Sequence, residues 1–254
     1  MILRRVVIAI AAAMVSIAAA VGAGLALFPN AVDGRSTEDI CFDPEGPVNK
    51  IIPACTELIA SGRYRGSDLS GIYDTRAAAY DADGDMARAT ADYTEAIRIC
   101  PTAGAYEVRG ALWEKRGDRA QAIADYTRAI AAWPEWAPPY EMRAEIYLAQ
   151  GDPTPAIADF TEAIRFGHPL TVNFQYIRRA VAFAAAGRSD EALRDLDHVT
   201  DANPDNPLAW EVRGQVEAAR GEREKAIVAY RTALYYEPRR EGPLAGLKQL
   251  GAAP

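Results

Sequence analysis

The sequence predicts an all-α solenoid of antiparallel helix pairs, and three observations predict it. Glycines recur at Gly84, Gly117, Gly151, Gly187 and Gly221, spaced by 33, 34, 36 and 34 residues. Apolar residues around each glycine sit at offsets of three and four, which is one face of a helix. Proline closes the units at Pro101, Pro134, Pro204 and Pro238, and one position late, at Pro169, in the third. Such a period marks a repeat architecture, because each unit can bury its apolar face only by stacking on a neighbour.

Taken from the start of the chain, Arg4 and Arg5 precede an uncharged, Ala-rich run of 23 residues, Val6–Phe28. A basic start, an apolar stretch and small residues at Ala18–Ala20 or Gly24–Ala26 fit a secretory signal. The run is also long enough to cross a bilayer core of ~30 Å, so segment 1–28 is either a signal peptide or an N-terminal membrane anchor. Both readings leave the rest of the chain exported, with Asp33, Glu38 and Asp39 beyond the run.

Export makes the cysteines readable. Cys41 and Cys55 lie 14 apart around a segment containing Pro and Gly. In an oxidising compartment that spacing favours a disulfide, and no histidine lies near either residue to suggest a metal site. Segment 29–69 then carries a degenerate half-repeat: Thr56-Glu57-Leu58-Ile59 echoes Thr94-Glu95-Ala96-Ile97, which makes residues 51–61 a second helix.

Five units follow over 70–238, divided as 70–102, 103–136, 137–172, 173–206 and 207–238. Eleven before each glycine stand Tyr73, Tyr106, Tyr140, Tyr176 and Trp210; seven before it, Ala77, Gly110, Ala144, Ala180 and Gly214. Four before it come Tyr80, Trp113, Tyr147 and Phe183, with Glu217 breaking the column. Small residues let two helices approach and large rings fill the gaps beside them. Beyond the glycine, Ala89, Ala122, Ala156, Ala192 and Ala226 precede Tyr93, Tyr126, Phe160, Leu196 and Tyr230. Leu244, Leu247 and Leu250 in 239–254 suit a short capping helix, although Gly242, Pro243 and Gly246 make it marginal.

These columns closely resemble the tetratricopeptide repeat. The resemblance covers 70–238 and implies a right-handed superhelical solenoid whose first helices line a concave, partner-binding surface. On that surface it places Asp74, Asp81, Glu107, Glu114, Lys115, Glu141 and Glu145 in the first three units. In the fourth it places Phe174, Ile177, Arg178 and Val181, and in the fifth Glu211 and Gln215. One lysine and no asparagine on these faces departs from the Lys/Asn set with which some family members clamp a C-terminal carboxylate. An acidic groove running into an apolar patch favours a basic or amphipathic peptide or helix. The same acids also suit a solvated face of an acidic protein.

A second set of charges recurs. Arg76, Arg109, Arg143, Arg179 and Arg213 each precede the small column, and Asp92, Asp125, Asp159 and Asp195 each precede the second-helix ring, with Ala229 in the fifth unit. Near-equal numbers argue for a structural Arg–Asp ladder over an anion site. Pairing within a unit and pairing across units remain equally open.

Composition removes other functions. With 28 Lys and Arg against 35 Asp and Glu, the net charge of −7 leaves no basic footprint for nucleic acid. His168 and His198 are not spaced to share a metal, and no phosphate loop or nucleophile elbow is present. No catalytic residue, cofactor, metal or small-molecule substrate is expected. The leader and the Ala/Arg-rich sequence resemble exported bacterial tetratricopeptide proteins, and that resemblance implies a non-catalytic adaptor of the bacterial envelope, periplasmic and either soluble or tethered to the inner membrane by residues 6–28. A self-associating structural solenoid is the alternative.

Overall fold

The computed structural model describes residues 34–168 and 172–254, so the apolar run 6–28 and Pro169 lie outside the described residues. The described residues form thirteen helices and no strands. They fall in two compact units, one up to Asp125 and one from Tyr126 onward.

The first unit opens with α1 (Thr37–Cys41) and α2 (Val48–Ala60). Ser36 caps α1 reciprocally with Asp39: the Asp39 N–H donates to the Ser36 hydroxyl at 3.1 Å and the Ser36 N–H donates to the Asp39 carboxylate at 3.1 Å. Cys41 and Cys55 are joined as a disulfide and lie fully buried among Ile40, Ile51, Leu58 and Ile72. The bond therefore ties the short α1 onto α2, where few apolar contacts would otherwise hold a five-residue helix. Helix α2 begins at Val48, ahead of the 51–61 span read from the Thr-Glu echo.

Helices α3 (Gly66–Asp83) and α4 (Met86–Ile99) pack as a pair, followed by α5 (Ala103–Lys115) and the start of α6 (Arg119–Ala132). Ala77, Tyr80, Ala89, Tyr93 and Leu112 share one core, which is the aromatic–small–aromatic column set meeting its second-helix partners. Gly84 turns the chain at φ 88°, a left-handed conformation that costs a side-chain-bearing residue 1–2 kcal/mol. That turn lets the Asp85 N–H reach the Tyr80 carbonyl at 2.8 Å, and the Asp85 carboxylate then caps α4 by accepting from the Arg88 N–H at 2.9 Å.

The second unit continues through α7 (Ala137–Ala149), α8 (Pro153–Phe166), α9 (Asn173–Ala185), α10 (Ser189–Ala202), α11 (Pro207–Ala219), α12 (Arg223–Tyr236) and α13 (Glu241–Gln249). Each helix from α8 to α12 packs on the one before and the one after it. First helices also meet across pairs, α9 on α11 and α11 on α13. Pro153 begins α8 at the position where its missing N–H costs nothing. Despite its two glycines α13 forms, because Leu247 is fully buried and Gly246 lets the Tyr230 ring lie directly against its backbone. A Cβ at Gly246 or at Gly214 would stand 2.5 Å from that ring, which is why the small column reads Gly in this unit.

Candidate functional site

The repeated arginines resolve into one arrangement. In the first four pairs Arg Nε and Nη2 donate to both oxygens of the Asp on the second helix of the same pair. The distances are 2.7 and 2.8 Å for Arg76–Asp92 and Arg109–Asp125, and 2.8 and 2.7 Å for Arg143–Asp159 and Arg179–Asp195. The third nitrogen, Nη1, donates to a threonine of the preceding helix: Thr56, Thr94, Thr127 and Thr161, at 3.0, 3.1, 2.8 and 3.1 Å. Each guanidinium therefore holds its own pair together and links it to the one before, using the planar fork that Lys lacks. The threonine column went unnoticed in the sequence, although Thr recurs there one residue after the second-helix ring.

The fifth pair departs twice. Ala229 replaces the aspartate, and Asp197 stands where the threonine should be; Arg213 Nη2 donates to Asp197 and its Nε is left buried without a partner. The carboxylate has moved from one column to the other.

On the first-helix faces of the first unit, Asp74 and Glu107 follow Tyr73 and Tyr106 and so turn partly inward. Burial pushes the Asp74 carboxyl up to about 6 and the Glu107 carboxyl up to about 7. One Asp74 oxygen is buried with no hydrogen-bond partner, and Glu107 has no ion pair or hydrogen bond among the described residues. Beside them Asp81 is already neutralised by Lys115 at 2.6 Å, so the lone lysine of this face is committed. Glu114 is exposed.

In the second unit, Glu141 accepts from Gln175 Nε2 at 2.6 Å; burial raises its carboxyl and this bond opposes the rise. Glu145 is paired with Arg178 and Glu211 with Arg240. The expected apolar patch of the fourth repeat is smaller than its sequence suggests. Ile177, read as a partner contact, is 2 % exposed and packs with Ala192, Leu196 and Val212 in the core, because it lies on the stripe of α9 that faces α10 and α11. Val181 packs against the same core, whereas Phe174 projects with 54 % of its surface open.

The family comparison agrees with this geometry. Residues 114–169 and 177–244 match the tetratricopeptide repeat family model. Among solved structures, YrrB, described as a repeat protein with an unusual peptide-binding site, is similar at 21 % identity over 77 % of this chain and 98 % of its own, with a TM-score of 0.65. PilW, a type IV pilus biogenesis factor, is similar at 19 % identity over 73 % of this chain and 87 % of its own, TM-score 0.60. MamA from Desulfovibrio magneticus RS-1 is similar at 11 % identity over 68 % and 97 %, TM-score 0.61. No curated protein matches the chain in sequence. Among the described residues, no three His, Cys, Asp or Glu side chains are grouped to hold a metal ion, and no helix is long and apolar enough to cross a membrane. Repeat columns, helix pairs and family match converge: the described residues have the tetratricopeptide-repeat fold, and residues 114–169 and 177–244 carry repeats of that family.

Proposed function

We propose that this chain is an exported adaptor of the cell envelope whose first-helix acids, Asp74 and Glu107, receive a basic segment of a partner protein. The fold is that of an interaction scaffold, and tetratricopeptide proteins are in general non-catalytic modules that bind proteins or peptides. The observation that carries the finer reading is the desolvation of Asp74 and Glu107 with no cation beside either. A lysine or arginine brought against them would restore the partner that burial removed from water. YrrB, with its peptide-binding site, is in keeping with this use of the fold. Export is supported by the basic start and apolar run of 1–28 and by the Cys41–Cys55 bond, which suits an oxidising compartment.

Fluorescence anisotropy with labelled basic, neutral and acidic peptides tests this. Basic peptides should bind more tightly at pH 8 than at pH 5.5, because Glu107 and then Asp74 take up protons as pH falls through 7 and 6. The paired change Asp74→Asn with Glu107→Gln should remove both the preference and its pH dependence. Equal binding of basic and acidic peptides would refute the reading.

A further inference from the structure

The second helix of the fifth pair, α12, breaks a rule that the other four second helices keep. Seven, eleven and fourteen residues after the glycine lie three positions one stripe apart along the helix. In each of the first four pairs that stripe carries charge: Glu95 and Arg98, then Arg128, then Glu162 and Arg165, then Arg194 and Asp201. In α4 and α8 the charges form local surface pairs, Arg98–Glu95 at 2.8 Å and Arg165–Glu162 at 3.3 Å. The α12 stripe reads Val228, Thr232 and Tyr235, with no charge. Val228 is 62 % exposed and Tyr235 is 79 % exposed, so a valine and a ring face water where the other pairs place solvated ions.

The chain's own end comes near this stripe and does not cover it. Arg223 and Arg231, on the neighbouring side of α12, donate to the Leu250 and Ala253 carbonyls at 2.8 and 2.9 Å, which straps the tail alongside. On the other side of Val228 a shallow depression of about 330 Å³ lies between α11 and α12, lined by Trp210 and Val228 and bordered by Glu224 and Lys225. Tyr235 itself is held by the ring of Tyr236, edge-on at 5.0 Å between centroids. The face thus offers one projecting ring and one shallow apolar seat.

We propose that α12 is a self-association face through which two copies of this chain pair about a twofold axis. The axis passes between Arg231 and Thr232, and the two helices cross antiparallel. Each Tyr235 ring then lies on the other copy's Val228 and in the depression beside it. Its hydroxyl donates to the other copy's Glu224, whose carboxylate is open to water and only 3.5 Å from Arg223. Ring and seat stand seven residues apart on one stripe, about 10 Å along the helix, so a single crossing fills both seats at once. Thr232, at the crossing, is small enough for the helices to approach to about 8–10 Å. An unrelated partner would have to bring a ring and a seat of its own at that spacing; a second copy already has both. No residue of the first-unit acids takes part, so the face stands whether or not those acids bind a peptide.

Sedimentation velocity of the chain from about 1 to 200 µM tests the assignment. One helix crossing buries less than the ~1,600 Å² of a standard interface, so a reversible dimer with a Kd of about 10–100 µM is expected. Val228→Glu with Tyr235→Glu should weaken it at least tenfold and leave the melting temperature unchanged, since both side chains are exposed. Cross-linking checks the register independently of any other self-association. In a Cys100→Ser background, Thr232→Cys should oxidise to a covalent dimer, whereas Glu162→Cys, the same column of the third pair, should not. A chain that stays monomeric to 200 µM, association undiminished in the folded double variant, or equal cross-linking at positions 162 and 232 would each overturn the proposal. A monomer that sediments with phosphatidylglycerol vesicles, and ceases to when Tyr235 is changed to Glu, would overturn it in favour of a lipid surface.

Discussion

Arg109 grips Asp125 at two points, Nε at 2.7 Å and Nη2 at 2.8 Å, and the aspartate is fully buried. Removing one partner strands the other charge in the core. Asp125→Ala should therefore lower the unfolding free energy by about 3–5 kcal/mol. Asp197→Ala is the contrast, because its carboxylate is 55 % exposed and its pair with Arg213 is screened by water; about 1 kcal/mol or less is expected. Urea unfolding of the two variants checks the difference.

Burial raises Asp74 to about 6 and Glu107 to about 7, above the ~3.9 and ~4.3 of an unfolded chain. The folded state thus holds these protons more tightly than the unfolded one. Their contribution to stability is complete below pH ~4 and is lost as pH rises through 6 and 7. Glu107→Gln cannot ionise, so at pH 8 it should be more stable than the parent by about 1–3 kcal/mol, with the gap closing towards pH 4. Denaturant melts at both pH values measure this.

Tyr230 lies between two glycine backbones, each with room for nothing larger. Gly214→Ala or Gly246→Ala would place a methyl 2.5 Å from its ring and should cost about 1–3 kcal/mol through overpacking. Gly71, inside α3, has open space where a Cβ would sit. Gly71→Ala should instead stabilise by about 0.5–1 kcal/mol, by restricting the unfolded chain and favouring the helix. Thermal melts of the three variants decide the signs.

Reducing the disulfide should loosen one end of the chain only. Cross-linking across a separation of 14 residues restricts the unfolded segment by about 3 kcal/mol. In a repeat array stability is local, so the loss should fall on α1 and α2. Hydrogen exchange after reduction should quicken there and stay unchanged in α11–α13.

The repeats were legible because local rules write them. Gly84 and its counterparts need a left-handed turn, Asp85 needs to cap the next helix, and Ala77 and Tyr80 need to share a face. Each demand is met within a few residues, so it leaves a periodic mark in the sequence. The acids were legible only as a list. That Asp74 and Glu107 lose water while Asp81 finds Lys115 depends on which neighbouring helix covers each one, and period does not carry that.

By itself the sequence determined the helix pairs, their number over 70–238, the small and aromatic columns and the arginine column, since all of these follow from helical period and turn chemistry. Tertiary structure decided the rest. Arg–Asp pairing runs within a pair because the second helix folds back to meet its own first helix at that level, and the same guanidinium then reaches the threonine of the preceding helix. Ile177 went to the core because α10 and α11 close over its side of α9. Ala229, sixteen residues after Arg213 along the chain, left the Arg213 Nε buried without an acceptor only because α11 and α12 face each other there, since contact between helices is a property of their facing surfaces and not of either column alone.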